Sequence, residues 1–166
     1  MPDVKTLYDE DFVAWSKQQA EALRSAARTG SNQLLDWENL AEEIESLGRS
    51  DKRELASRTA IIIEHQVKLA CSPARDPRPG WQQTIRRERA EIERILDDSP
   101  SLRREVSNIA SKVAGGAIEL ALRELDSRGE LSRPLQEALR AKKYLDLFSY
   151  TPEQILGDWF PPEPKA

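Results

Sequence analysis

Five carboxylates fall within ten residues, Asp36, Glu38, Glu42, Glu43 and Glu45, with no Lys or Arg among them. Helical spacing puts Glu38, Glu42 and Glu45 on one face, opposite Leu40 and Leu47. Like charges one turn apart repel by roughly a few tenths of a kcal/mol per pair unless something positive faces them. The face therefore suits solvent, the protein's own arginines, a cation, or a basic partner surface.

A second set of residues could hold a metal. His65 lies at the edge of the Leu55–Leu69 stripe, and Glu88 sits within an apolar stripe between Ile85 and Ile92, where an unpaired carboxylate is costly. Joined with Glu42 and Glu45, they would make a carboxylate–histidine site inside a bundle. Bundle sites of that kind use Glu-x-x-His on two helices, and here only the adjacent pair Glu64-His65 occurs. The plainer reading is a hydrogen-bonded His65 and a Glu88 paired with an arginine. Cys71 reads as a small hydrophobe before Ser72-Pro73 rather than a nucleophile. Nucleophile elbow, phosphate loop and dinucleotide fingerprint are all missing. No cofactor is implied.

Arg75, Arg78, Arg86, Arg87, Arg89 and Arg94 form the basic counterpart. From Pro73 to Arg94 six bases stand against four acids, a surplus of only two. Interleaved glutamates account for most of these arginines, so nucleic-acid binding is a minor alternative. Residues 1–50 hold ten acids and five bases, which leaves 19 acids and 20 bases in the rest. A dock of the Glu38 face on the Arg86 helix fits that polarity. Five of the ten aromatic residues fall between Tyr144 and Phe160. Trp159 and Phe160 then either fold back over the core or bury against a second chain.

Helices must position these groups, because periodicity is helical almost throughout and no run alternates long enough for a strand. The first helix is placed near Asp9, with Gly30 of Thr29-Gly30-Ser31-Asn32 as its left-handed cap. Asp36 caps the next, where Trp37, Leu40, Ile44 and Leu47 share a face before Gly48. The chain either restarts at Ser50-Asp51 or bends through Gly48. Leu55, Thr59, Ile62, Ile63, Gln66 and Leu69 continue the stripe. Pro73, Pro77, Pro79 and Gly80 make the segment from Ser72 to Gly80 the clearest loop. Trp81, Ile85, Ile92, Ile95 and Leu96 mark a third helix, closed by Asp97-Asp98. Ser99-Pro100 opens a fourth, apolar on two sides past Val113, whose Gly115-Gly116 implies close approach of another backbone. Arg128-Gly129 ends it, and a short helix from about Pro134 to Lys143 follows. Thr151-Pro152-Glu153-Gln154 carries the marks of a capping box.

The whole pattern describes an all-α, single-domain helical bundle of about five helices with a short extended aromatic C-terminal tail. One domain spans 1–166, with 1–7 and 161–166 as loose ends. A chain of 166 residues removes roughly 70% of its unfolded surface from water, so its core needs neither disulfide nor metal. One Cys and one His exclude paired-cysteine zinc motifs and two-histidine sites. The start, Met1-Pro2-Asp3-Val4-Lys5, lacks a signal-peptide core, and no stretch is apolar enough to span a membrane. A pI near 5.2 disfavours bulk binding to DNA. These features point to the cytoplasm.

Several strings carry a resemblance. They are Tyr8-Asp9-Glu10-Asp11-Phe12 with Trp15, the run from Asp36 to Gly48, Trp81 with Ile85-Arg86, Ser99-Pro100-Ser101-Leu102-Arg103, and Tyr150-Thr151-Pro152-Glu153-Gln154-Ile155-Leu156. Together they resemble the bacterial family of domain of unknown function twenty-nine, from about Tyr8 to Phe160. The resemblance implies an all-helical fold and a bacterial source, and it brings no activity or catalytic residue. The segment between Leu125 and Phe148 fits it least well.

The functional expectation is a binding module without catalysis that associates with itself or with a protein partner, away from membranes. Its candidate residues are Glu38, Glu42, Glu45, Arg78, Arg86, Arg89, Trp159 and Phe160. A small enzyme using His65 with nearby carboxylates is the alternative.

Overall fold

The computed structural model describes residues 4–30 and 34–164, and among these every regular element is helical. In order they are α1 (Val4–Glu10), α2 (Phe12–Arg28), α3 (Trp37–Cys71), α4 (Arg78–Asp98), α5 (Val106–Ser127), α6 (Arg133–Arg140) and α7 (Pro152–Leu156). Short 3₁₀ segments occupy Pro100–Glu105 and Leu145–Leu147. The fold is all-α, with seven α-helices among the described residues where about five were expected.

Two compact units emerge: Met1–Leu55 with Arg94–Glu105, and Ala56–Glu93 with Val106–Ala166. The first unit is built on small residues. Val13, Ser16 and Ala20 are its buried positions on α2, and Ala41, Gly48 and Leu55 are those on α3. A Cβ on Gly48 would collide with Ser16 Oγ, so the glycine lets α2 come close to α3. Leu96 and Leu102 complete this core.

Asp11 sets the entry to α2. Its Oδ1 accepts from Ala14 N at 2.8 Å, while Oδ2 accepts from Ser101 N at 2.7 Å. One carboxylate thus caps α2 and anchors the 3₁₀ segment. The helix starts after Asp11 rather than near Asp9, and residues 4–7, expected to be loose, belong to α1. Gly30 does adopt a left-handed φ of 76°, whereas Ser31 and Asn32 of that expected stop lie outside the described residues.

The second unit holds the larger core. Ile62, Ile63, Leu69, Ile85, Ile92, Ile118, Leu122, Leu125 and Ile155 are fully buried there, each burial stabilising the fold by about 1.5–3 kcal/mol. Gly129, with φ 71°, closes α5 through bonds from its own N–H to Asp126 O and from Glu130 N–H to Leu125 O. Thr151 and Gln154 form the reciprocal capping box that opens α7.

Of the two courses open to the chain after Leu47, helix α3 takes the one through Gly48, with no restart at Ser50-Asp51. Three expectations are corrected. Pro79 and Gly80 lie inside the first turn of α4 rather than in a loop, because a helix's first N–H groups need no intrahelical partner and proline lacks one. No backbone closes on Gly115-Gly116. Leu145 Cδ2 would meet a Cβ on Gly115 at 3.4 Å, and Gly116 faces open space. Helix α5 is not buried all round either, since Leu120 stays exposed.

Candidate functional site

The acidic face of α3 is answered from within its own unit. Arg24 on α2 bonds Glu45 at 2.7 Å and approaches Glu42 at 3.6 Å. Arg49, one turn after Glu45, reaches Glu42 at 2.5 Å and Glu45 at 3.6 Å. The bond from Arg24 holds the Glu45 carboxyl below its ordinary range, and Glu45 in turn raises the guanidinium. The counterpart of this face is therefore Arg24 and Arg49, in place of the expected Arg86 helix. Exposed Glu38 adds to the field on Arg24. Arg49 stands four residues after Glu45 and was readable from spacing. Arg24 needed the α2–α3 packing.

The residues of the metal hypothesis are engaged elsewhere. Buried Glu88 pairs with Arg58 at 2.9 Å, and Arg87 lies 3.4 Å away. Half-buried His65 shares a 2.8 Å hydrogen bond between Nδ1 and Ile61 O, one turn back. Among the described residues no three His, Cys, Asp or Glu side chains converge to hold a metal ion. Close to His65, Lys68 is 4% exposed and bonds Glu64 at 2.6 Å and Glu124 at 2.5 Å. Lys68 carries a tertiary role that its sequence neighbours do not announce. Burial pushes the Cys71 thiol up to about 11, which leaves it a poor nucleophile.

The arginines of the expected basic counterpart divide by burial. Arg78 is buried and donates to Leu69 O at 2.9 Å, where α3 runs out of helical partners. Arg89 is buried as well. It donates to Ile155 O (2.8 Å), Gln154 O (2.8 Å) and Trp159 O (2.7 Å), which ties α7 and the segment after it to α4. Burial lowers its pKa, while Asp158 partly restores it. Arg86 remains exposed, and its guanidinium stands 5.1 Å from the Phe160 ring centre, with Arg89 at 5.2 Å. Trp159 and Phe160 are half-buried.

What stays open lies on another side of α3. Leu40 is 41% and Leu47 51% exposed, and Leu34 and Leu35 just before the helix are exposed too. The expected common face of Trp37, Leu40, Ile44 and Leu47 is thus rotated: Trp37 and Ile44 are half-buried and the two leucines point outward. Close packing at Gly48 turns the helix onto its Ala41–Gly48–Leu55 edge. Exposed Asp36 and Glu43 share the open side by helical spacing. One turn beyond Leu47, Asp51 enters a cleft of about 400 Å³ lined by Tyr8, Asp9, Phe12, Asp51 and Asp98. Burial raises the Asp51 pKa, and Glu54 and Asp98 add to the rise against a hydrogen bond from Ser99. Reading the sequence for motifs missed this cleft, whose carboxylates lie on three different helices.

No helix of the described residues is long and apolar enough to cross a membrane. Curated proteins yield no match. The crystal structure of an α-helical protein of unknown function from Rhodospirillum rubrum ATCC 11170 is similar, with a TM-score of 0.70 and 23% identity over 90% of this chain and 89% of that one. That likeness concerns the fold. The sequence itself matches Domain of unknown function DUF29 over residues 7–160, nearly its whole length, and the chain belongs to that family.

Proposed function

We propose that the protein works by binding another protein through the open side of α3 in the first unit, without catalysing a reaction. The observation that carries this reading is the exposure of Leu40 and Leu47 on one helix, close after Leu34 and Leu35. Leu40 and Leu47, about half exposed, still have about half of the roughly 1.5–3 kcal/mol of full burial to gain against a partner. Clustered exposed apolar residues mark interaction surfaces, where scattered ones do not. The engaged state of His65, Glu88, Glu42 and Glu45 supports binding over chemistry. A half-buried lone thiol at Cys71 suits a reducing compartment, and a cytoplasmic setting is part of the proposal.

The test is the double variant L40Q/L47Q, which keeps helix propensity and removes apolar surface. Its melting temperature stays near wild type. A partner, or a second copy, that is retained by the wild-type chain at defined concentration is lost by the variant. Equal retention by both would contradict the reading.

A further inference from the structure

The open side of α3 leads into a cleft whose charge has no counterpart in the described chain. Asp51 follows Leu47 by one turn and shares the cleft with Asp9, Asp98, Tyr8 and Phe12. Several carboxylates on the same helices or their neighbours are matched: Glu42 and Glu45 by Arg24 and Arg49, Glu105 by Lys52, Glu88 by Arg58, Glu124 by Lys68 and Glu119 by Arg123. Among the described residues no Lys or Arg pairs with Asp9, Asp51 or Asp98, and Asp51 and Asp98 repel each other.

Two features bear on the kind of cation that would suit the cleft. The three carboxylates do not form a metal-binding group, so a bare ion is a poor fit. An aromatic wall faces the same space. Tyr8, itself 50% exposed, packs edge-on against Phe12 and Trp15 with ring centres 5.8 and 4.8 Å away. A rigid aromatic edge beside carboxylates suits the alkyl stem and charged head of a Lys or Arg side chain.

We propose that the leucine side of α3 and this cleft together dock a basic amphipathic segment of a partner protein, its apolar side chains on Leu40 and Leu47 and one cationic head among Asp9, Asp51 and Asp98. This rests on the docking reading above and adds the chemistry of the occupant. Charge complementarity carries the choice, since Asp36 and Glu43 continue the acidic side along the leucines.

The probe is a synthetic amphipathic helix about five turns long, with leucines on one side and lysines on the other. Its twin carries glutamates for the lysines. Calorimetry with the full chain should show the lysine peptide binding and the glutamate twin failing to bind. D51N/D98N, which is isosteric and relieves repulsion, should fold with an unchanged or higher melting temperature and bind the lysine peptide about tenfold more weakly. Equal binding by wild type and D51N/D98N overturns the proposal, as does no binding of the lysine peptide to wild type. L40Q/L47Q separates the two claims. Binding that survives D51N/D98N but is lost in L40Q/L47Q overturns the cationic occupant and leaves the docking face standing. Loss in D51N/D98N alone keeps the cleft and overturns the leucine face.

Discussion

A methyl group on Gly48 would fall well inside van der Waals contact distance of Ser16 Oγ, while Ser16 Cβ and Val13 Cα stand 3.5 and 3.6 Å from the same point, at ordinary contact distance. One hydroxyl is thus the whole obstacle, and that hydroxyl is itself held by a 2.9 Å bond to Val13 O. Gly48→Ala should therefore destabilise, despite the gain of about 1 kcal/mol in helix propensity. The double variant S16A/G48A should be at least as stable as wild type. A double-mutant cycle by denaturant unfolding measures the coupling, expected at about 1–3 kcal/mol. Additive effects would mean that α2 does not approach α3 at this point.

Lys68 is a buried ammonium between Glu64 and Glu124. Removing its charge leaves two half-buried carboxylates without their shared cation, with Arg128 still 2.6 Å from Glu124. Lys68→Met should cost about 3 kcal/mol. The triple variant K68M/E64Q/E124Q should recover much of that loss, because the stranded charges go with it. Chemical denaturation reads both.

Arg89 spends three donors on carbonyls of residues 154, 155 and 159. Lysine keeps the charge but cannot present that planar fork. Arg89→Lys should destabilise by about 2 kcal/mol. Hydrogen exchange should rise first in residues 152–160, before the α5 core. Uniform exchange across the chain would remove the anchoring role.

Gly116 lies in the interior of α5 with open space where a Cβ would stand. Gly116→Ala should stabilise by about 1 kcal/mol. Thermal unfolding checks the sign.

Acid should act through two opposed groups of carboxyls. Hydrogen bonds from Arg24, Lys52 and Lys68 hold Glu45, Glu105 and Glu124 below the ordinary value of 4.5. Their stabilising effect is complete above that value and is lost as pH falls through their lower folded values. Asp51 works the other way. Burial first, then Glu54 and Asp98, raise it above 3.8, so the folded state keeps this proton longer and stability drains as pH rises through its folded value. Asp51→Asn should accordingly raise the melting temperature at pH 7 and bring little gain at pH 3.

Local signals were the legible ones. Thr151 to Gln154 spelled out a capping box because every partner lies within four residues, and Asp36 likewise caps α3 through Asn39 N–H at 3.2 Å. The stripe from Thr59 to Leu69 is buried as its period implies. Legibility failed where a distant residue decides. Leu40 and Leu47 share an apolar face in the sequence, yet the small Gly48 and Ala41 choose which edge of α3 is covered. Pro79 looked like a helix breaker because proline is costly everywhere except the first turn, where it stands. The Asp9–Asp51–Asp98 cleft has no sequence spacing at all, being assembled from α1, α3 and α4.

The open side of α3 as a binding surface is tested most directly by a photo-crosslinking amino acid at position 47 of the full chain, irradiated in living cells. Position 123, exposed on α5, serves as control. The account predicts a discrete adduct from position 47, with a partner or a second copy, that disappears when Leu40→Gln is added and is missing from position 123. The same adducts from both positions, or none from position 47, would contradict it.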